Sequence, residues 1–123
     1  MHNKMVFICS PYRSNNPDPT GRAKEIQRNE ELAQKGCRAA VERGYIPFAP
    51  HLFFPQFLSE ETERDTGIQM GMELMTLCDG LWVLGRKITD GMAKEICYAR
   101  ELGLPVRIME KPETASHKKA EGK

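Results

Sequence analysis

Four short apolar runs constrain the fold of this chain more than any other feature: Val6-Phe7-Ile8-Cys9, Tyr45-Ile46-Pro47-Phe48-Ala49, Leu81-Trp82-Val83-Leu84 and Pro105-Val106-Arg107-Ile108-Met109. Runs of this length bounded by loop residues suit buried strands. The stretches between them are long enough for helices, so the order is β-α-β-α-β-α-β. Strand-helix-strand crossovers are right-handed almost without exception, and the economical solution is a parallel sheet with helices on both faces. The expected fold is therefore α/β: a three-layer α-β-α, doubly wound sheet of four strands in the order 2-1-3-4, flavodoxin-like or Rossmann-like. Pro47 removes one ladder donor and puts the second strand at an edge.

The helices have readable ends. Asp18-Pro19 suits an N-cap and first turn, and Gly44 stops that helix after Arg43. Ile26, Ala33, Cys37, Ala40 and Val41 recur at helical spacing and predict the face laid on the sheet. Asn29 interrupts that face and implies a polar contact to a neighbouring loop. A loop with Phe53, Phe54, Pro55 and Phe57 follows the second strand; its rings either cover a flat nucleobase or pack beneath the loop or at a subunit interface. Helices are expected over residues 61–78 and 90–102, with Met70, Met72 and Met75 as core filler. Asp79 reads as a turn or cap residue.

At 123 residues there is room for one core, so residues 1–110 are read as a single domain and 111–123 as a disordered basic tail. Formal net charge is +1, of which the tail contributes +2, leaving the body at −1. That balance provides no basic footprint for nucleic acid and no membrane-binding patch. Cys9, Cys37, Cys78 and Cys97 lie inside apolar runs without close His/Cys spacing, so they are expected to be reduced core residues rather than metal ligands. No cofactor is expected. No run is long enough to span a bilayer, and a cytoplasmic location is the default expectation.

In doubly wound sheets ligands bind outside the carboxyl ends of the strands, where chain order reverses. That rule gathers Ser10, Tyr12 and Arg13 after the first strand, His51 after the second, and the loop before the third long helix. Thr89, Asp90 and Gly91 begin that helix, where unpaired N–H groups and the dipole favour an anion. Glu95 falls one turn in, on the flank bordering the core. It reads either as a first-turn acid favoured by the dipole or as a positioned carboxylate, ionised unless desolvation opposes this. Arg13 is either a solvated loop residue or a phosphate ligand, and His51 either a strand-end residue or a base or ribose contact.

The order and spacing of Val6-Phe7-Ile8-Cys9, Ser10-Pro11-Tyr12-Arg13, Ala49-Pro50-His51-Leu52-Phe53-Phe54-Pro55, Cys78-Asp79 and Thr89-x-Gly91-x-x-x-Glu95 resemble the nucleoside 2-deoxyribosyltransferase superfamily. They are most similar to an uncharacterised bacterial and phage branch, and to the branch that hydrolyses deoxynucleoside 5′-monophosphates. The resemblance spans about residues 5–109. It implies a homodimer or higher homo-oligomer acting on a small nucleotide or nucleoside, with Glu95 as the nucleophile at C1′, Arg13 and Thr89 on a 5′-phosphate, and His51 near the nucleotide. The superfamily's first-strand tyrosine aligns with Phe7 and its helix aspartate with Gly71, while its fifth strand has no counterpart. Tyr12, Glu63, Asp65, Gln69 or Glu73 are the candidate replacements. The leading expectation is cleavage or transfer at an N-glycosidic bond, by an N-glycosidase or a deoxyribosyltransferase-like enzyme. The alternatives are a catalytically inactive nucleotide-binding or sensing module and a structural protein that dimerises through its aromatic loop.

Overall fold

The computed structural model describes residues 4–109, and the tail expected to be disordered lies outside the described residues. Strand β1 is Met5–Cys9, β2 Ile46–Phe48, β3 Gly80–Leu84 and β4 Val106–Met109. All pair in parallel, in the order β2-β1-β3-β4, as the connection rules predict. Pro47 does lie on an edge strand, since β2 pairs with β1 alone.

Side-chain alternation divides the core into two layers. Phe7, Cys9, Leu81 and Val83 point to one face, with Met75, Cys78, Met92 and Ala99. Val6, Ile8, Trp82 and Leu84 point to the other, with Ala39, Ala40 and Ala49. Because β1 and β3 are buried on both faces, they contain no polar residue to mark an outside, which is why they read as continuous apolar runs.

Helix α1, Pro19–Glu42, begins as expected: Asp18 Oδ2 accepts from Gly21 N–H at 2.8 Å and Pro19 takes the first turn. Gly44, at φ 84°, lets the chain leave the helix end in the left-handed region. The sheet-facing stripe is Ala33, Gly36, Ala39 and Ala40, not the one expected through Val41, which is half exposed. Its small residues bring the helix close. A Cβ on Gly36 would stand 2.3 Å from Leu84 Cδ1. Asn29 Nδ2 donates to the Tyr12 carbonyl at 3.0 Å, the loop contact its position implied.

The chain from 49 to 57 departs from expectation. It is not an irregular loop but a helical turn, α2, Pro50–Phe53, running into a 3₁₀ turn, Phe54–Gln56. His51 thus sits within a helical turn rather than at a strand end. Phe54 is buried against Phe48, whereas Phe53 and Phe57 are exposed. Helix α3, Arg64–Met75, is three residues shorter at each end than expected. Before it, a local turn takes over: Ser59 N–H donates to Glu63 Oε1 and Thr62 N–H to Ser59 Oγ. After it, the Leu77 and Cys78 amides bond three residues back. Asp79 then ties the turn to β1, its N–H donating to the Met5 carbonyl and its Oδ2 accepting from Met5 N–H, each at 2.7 Å.

Helix α4 is Asp90–Glu101, capped by Thr89 Oγ1 accepting from Met92 N–H at 3.1 Å. Met92, Glu95 and Ala99 face the sheet. Cys97 lies about 140° round the helix from Met92, and it is exposed, so the expectation of four core cysteines fails there. Cys37 is half-buried, while Cys9 and Cys78 are buried as expected. Among the described residues no helix is long and apolar enough to cross a membrane.

Candidate functional site

A cavity of about 200 Å³ opens beyond the carboxyl ends of β1 and β3, next to the point where strand order reverses. Tyr12, Arg13, His51, Thr89, Asp90, Gly91 and Glu95 all line it. Ser10 is not on its wall: it is buried to 1% exposure and its Oγ has no hydrogen-bond partner among the described residues.

Glu95 is an uncommon surface for a cavity. The residue is only 6% exposed, and its Oε1 is buried with no hydrogen-bond partner among the described residues. A buried carboxylate without compensation is costly, so the proton is retained to higher pH. Burial raises the Glu95 pKa to about 7, and a hydrogen bond from Cys9 is the smaller, opposing influence. The desolvation foreseen as a condition therefore prevails over the helix dipole, and near neutrality Glu95 is partly protonated.

Cys9 and Glu95 meet because β1 alternates. Phe7 and Cys9 share the face covered by α4, and the Cys9 Sγ also donates to the Met92 carbonyl at 3.8 Å. Phe7, which the resemblance aligns with a tyrosine, offers only a ring packed edge-on to Phe48 at 5.6 Å. Cys9 was missed in the sequence as one more core cysteine; the signal was its period-two relation to Phe7.

His51 stacks on Tyr12 with ring centroids 5.2 Å apart and planes at 16°, forming one wall. Its pKa is pushed down to about 4, first by burial and then by the Arg64 charge, against a hydrogen bond with the Ser10 backbone. It is therefore neutral at physiological pH. Asn29 steadies this wall through the Tyr12 carbonyl.

The charged rim holds two residues that sequence patterning did not single out. Glu60 Oε2 lies 3.4 Å from Arg13 Nε and 3.5 Å from Arg64 Nε. Glu60 sits in the turn before α3 and Arg64 is the first residue of that helix, so no helical or strand periodicity marked them. Of the candidate replacements for the tyrosine and aspartate that the resemblance implies, Tyr12 and Glu63 line the cavity, whereas Asp65, Gln69 and Glu73 are exposed and do not. Gly71 itself is buried under Phe54 and Pro50, where a Cβ would stand 3.7 Å and 3.8 Å from their nearest atoms.

The fold is shared with a solved 2-deoxyribosyltransferase from the psychrotolerant bacterium Bacillus psychrosaccharolyticus, at 19% identity and a TM-score of 0.52, over 85% of this chain and 70% of that one. No curated protein matches the sequence significantly. Residues 4–109, which include every strand and every cavity residue, match the family described as Domain of unknown function (DUF7768), and the chain belongs to it.

Proposed function

We propose that this domain cleaves or transfers at the N-glycosidic bond of a nucleotide or nucleoside, with Glu95 as nucleophile. The observation that carries the reading is the buried Glu95 carboxyl on the cavity wall, with one oxygen lacking any hydrogen-bond partner among the described residues. An oxygen of the ionised carboxylate bonds to C1′ as the C1′–N bond breaks, and the electron pair leaves with the base, which takes up a proton. Water in hydrolysis, or a second base in transfer, then attacks C1′, loses a proton and releases the carboxylate. Arg13, Thr89 and the Gly91 backbone would hold a 5′-phosphate; Thr89 Oγ1 accepts the helix-capping bond, leaving its O–H to donate outward. The shared fold with a 2-deoxyribosyltransferase supports this reading.

Phe7 and Gly71 favour a second reading, a nucleotide-binding or sensing module without catalysis, because neither residue supplies the hydroxyl or carboxyl of the superfamily. Incubation with a panel of ribo- and deoxynucleotides and nucleosides, followed by chromatography of the released base, separates the two. Base release abolished by Glu95→Ala is the expected result. Saturable binding with no release from any member of the panel would instead establish the sensor. We further propose a cytoplasmic homodimer. The exposed Phe53 and Phe57 rings, 5.1 Å apart beside the cavity, support the dimer, and sedimentation of the protein and of Phe57→Ser tests it.

A further inference from the structure

Arg64 occupies a place that disfavours a cation. It opens α3, and a Cβ on Gly91 would lie 3.4 Å from its Nη2, so its guanidinium also meets the opening of α4. Both helix N-termini carry positive partial charge, and a carboxylate or phosphate, not an arginine, is what stabilises such an end. His51, held neutral nearby, does not relieve the repulsion. Glu60 does so in part. Its single oxygen Oε2 serves Arg13 and Arg64 together through Nε contacts of 3.4 and 3.5 Å, well beyond the length of about 2.8 Å typical of strong charge-assisted hydrogen bonds.

We infer that Arg64 is a specificity-determining residue that admits phosphate-bearing substrates, and that the Glu60 carboxylate occupies the phosphate's place until one arrives. This inference rests on the reading that the cavity takes a nucleotide. A phosphate has three oxygens to set against two guanidinium groups and a helix end, where Glu60 offers one. The exchange needs only a side-chain rotation, because the turn carrying Glu60 is held by the bonds between Ser59, Thr62 and Glu63. The other acids on the wall are placed differently. Glu63 accepts the Ser59 amide, Asp90 is an exposed first-turn residue of α4, and Glu95 lies deep on the wall.

The test uses full-length protein carrying Glu95→Gln, so that bound ligand is not cleaved, and titrates deoxynucleoside 5′-monophosphates, the matching nucleosides and inorganic phosphate by calorimetry. Removing the internal competitor with Glu60→Gln should tighten the monophosphates and phosphate several-fold. Arg64→Gln should weaken them by about tenfold or more, with Arg64→Lys between, since a point charge lacks the planar fork. Nucleoside affinity should not change in any variant. Monophosphate affinity that is unaltered by Arg64→Gln, or lowered by Glu60→Gln, overturns the inference. Base release from nucleosides by protein with Glu95 intact, equally fast with and without the phosphate, also overturns it while leaving the glycosidase reading intact. Conversely, the predicted binding pattern without base release from any substrate upholds the anion site and removes the glycosidase.

Discussion

The Cys9 thiol lies against the Glu95 carboxyl, and its hydrogen bond is what offsets part of the burial that raises that group to about 7. The same thiol can instead donate to the Met92 carbonyl, 3.8 Å away, so one proton serves two acceptors. This geometry makes Cys9 a positioning residue for Glu95.

Removing it should move a pH profile rather than abolish activity. In Cys9→Ala the carboxylate loses its donor, so the pKa of Glu95 rises and the ascending limb of kcat/KM against pH shifts alkaline. Cys9→Ser, with a stronger O–H donor, should shift the limb back toward or below its original position. A uniform fall in rate with an unmoved limb would mean that the thiol only fills space.

Stability should depend on pH through two groups of opposite sign. Glu95 has a folded pKa raised from 4.5 to about 7, so its contribution is full below 4.5 and lost as pH rises to 7. His51 has a folded pKa lowered from 6.5 to about 4, so its contribution is full above 6.5 and lost as pH falls to 4. Between about 4.5 and 6.5 the two slopes cancel. Glu95→Gln should therefore expose a stability that rises with pH across this window, and His51→Gln one that falls, each by up to about 1.4 kcal/mol per pH unit. Urea titrations of both variants at four pH values test this, and parallel curves would refute it.

Helix α1 approaches the sheet tightly at Gly36, where a Cβ would meet fully buried Leu84 at 2.3 Å and Ile8 Cγ2 at 3.4 Å. Alanine improves helix propensity by about 0.5–1 kcal/mol, yet overpacking a close-packed core costs about 1–3 kcal/mol. Gly36→Ala should therefore be destabilising on balance, and Gly36→Ala with Leu84→Val should recover more than the sum of the single changes allows. Denaturant midpoints of the four proteins give the coupling directly.

Legibility in the sequence followed burial. Strands β1 and β3 are covered on both faces, so their apolar runs marked the elements, and the connection rules then supplied the sheet order. Asp18, Gly44 and Thr89 act through local hydrogen bonds or backbone geometry, which their neighbours reveal, and Asn29 was marked by interrupting the apolar face of its helix. Val41 and Cys97 were misplaced because an apolar residue on the flank of a helix satisfies periodicity without touching the sheet. Glu60 and Arg64 were invisible for a different reason: a turn without regular periodicity brings them to the cavity, and only the folded chain juxtaposes Arg64 with Gly91. Cys9 was read as core, which it is, but the acid beside it comes from residue 95 across the sheet face.

Thr89 offers a way to separate the helix cap from the anion site, because each task needs something different from one side chain. As the N-cap it needs an oxygen to accept the Met92 amide, now at 3.1 Å. At the site, it needs a donor and no negative charge. Thr89→Val keeps the shape but loses the acceptor, and should cost about 1 kcal/mol of stability together with ligand binding. Thr89→Asp keeps an excellent cap and suits the dipole, so the melting temperature should hold or rise. Its charge nevertheless faces the place proposed for the phosphate, so binding of 5′-monophosphates should be lost while nucleosides still bind. If Thr89→Asp binds monophosphates as the parent protein does, then the phosphate is not at the opening of α4, whatever the cavity holds.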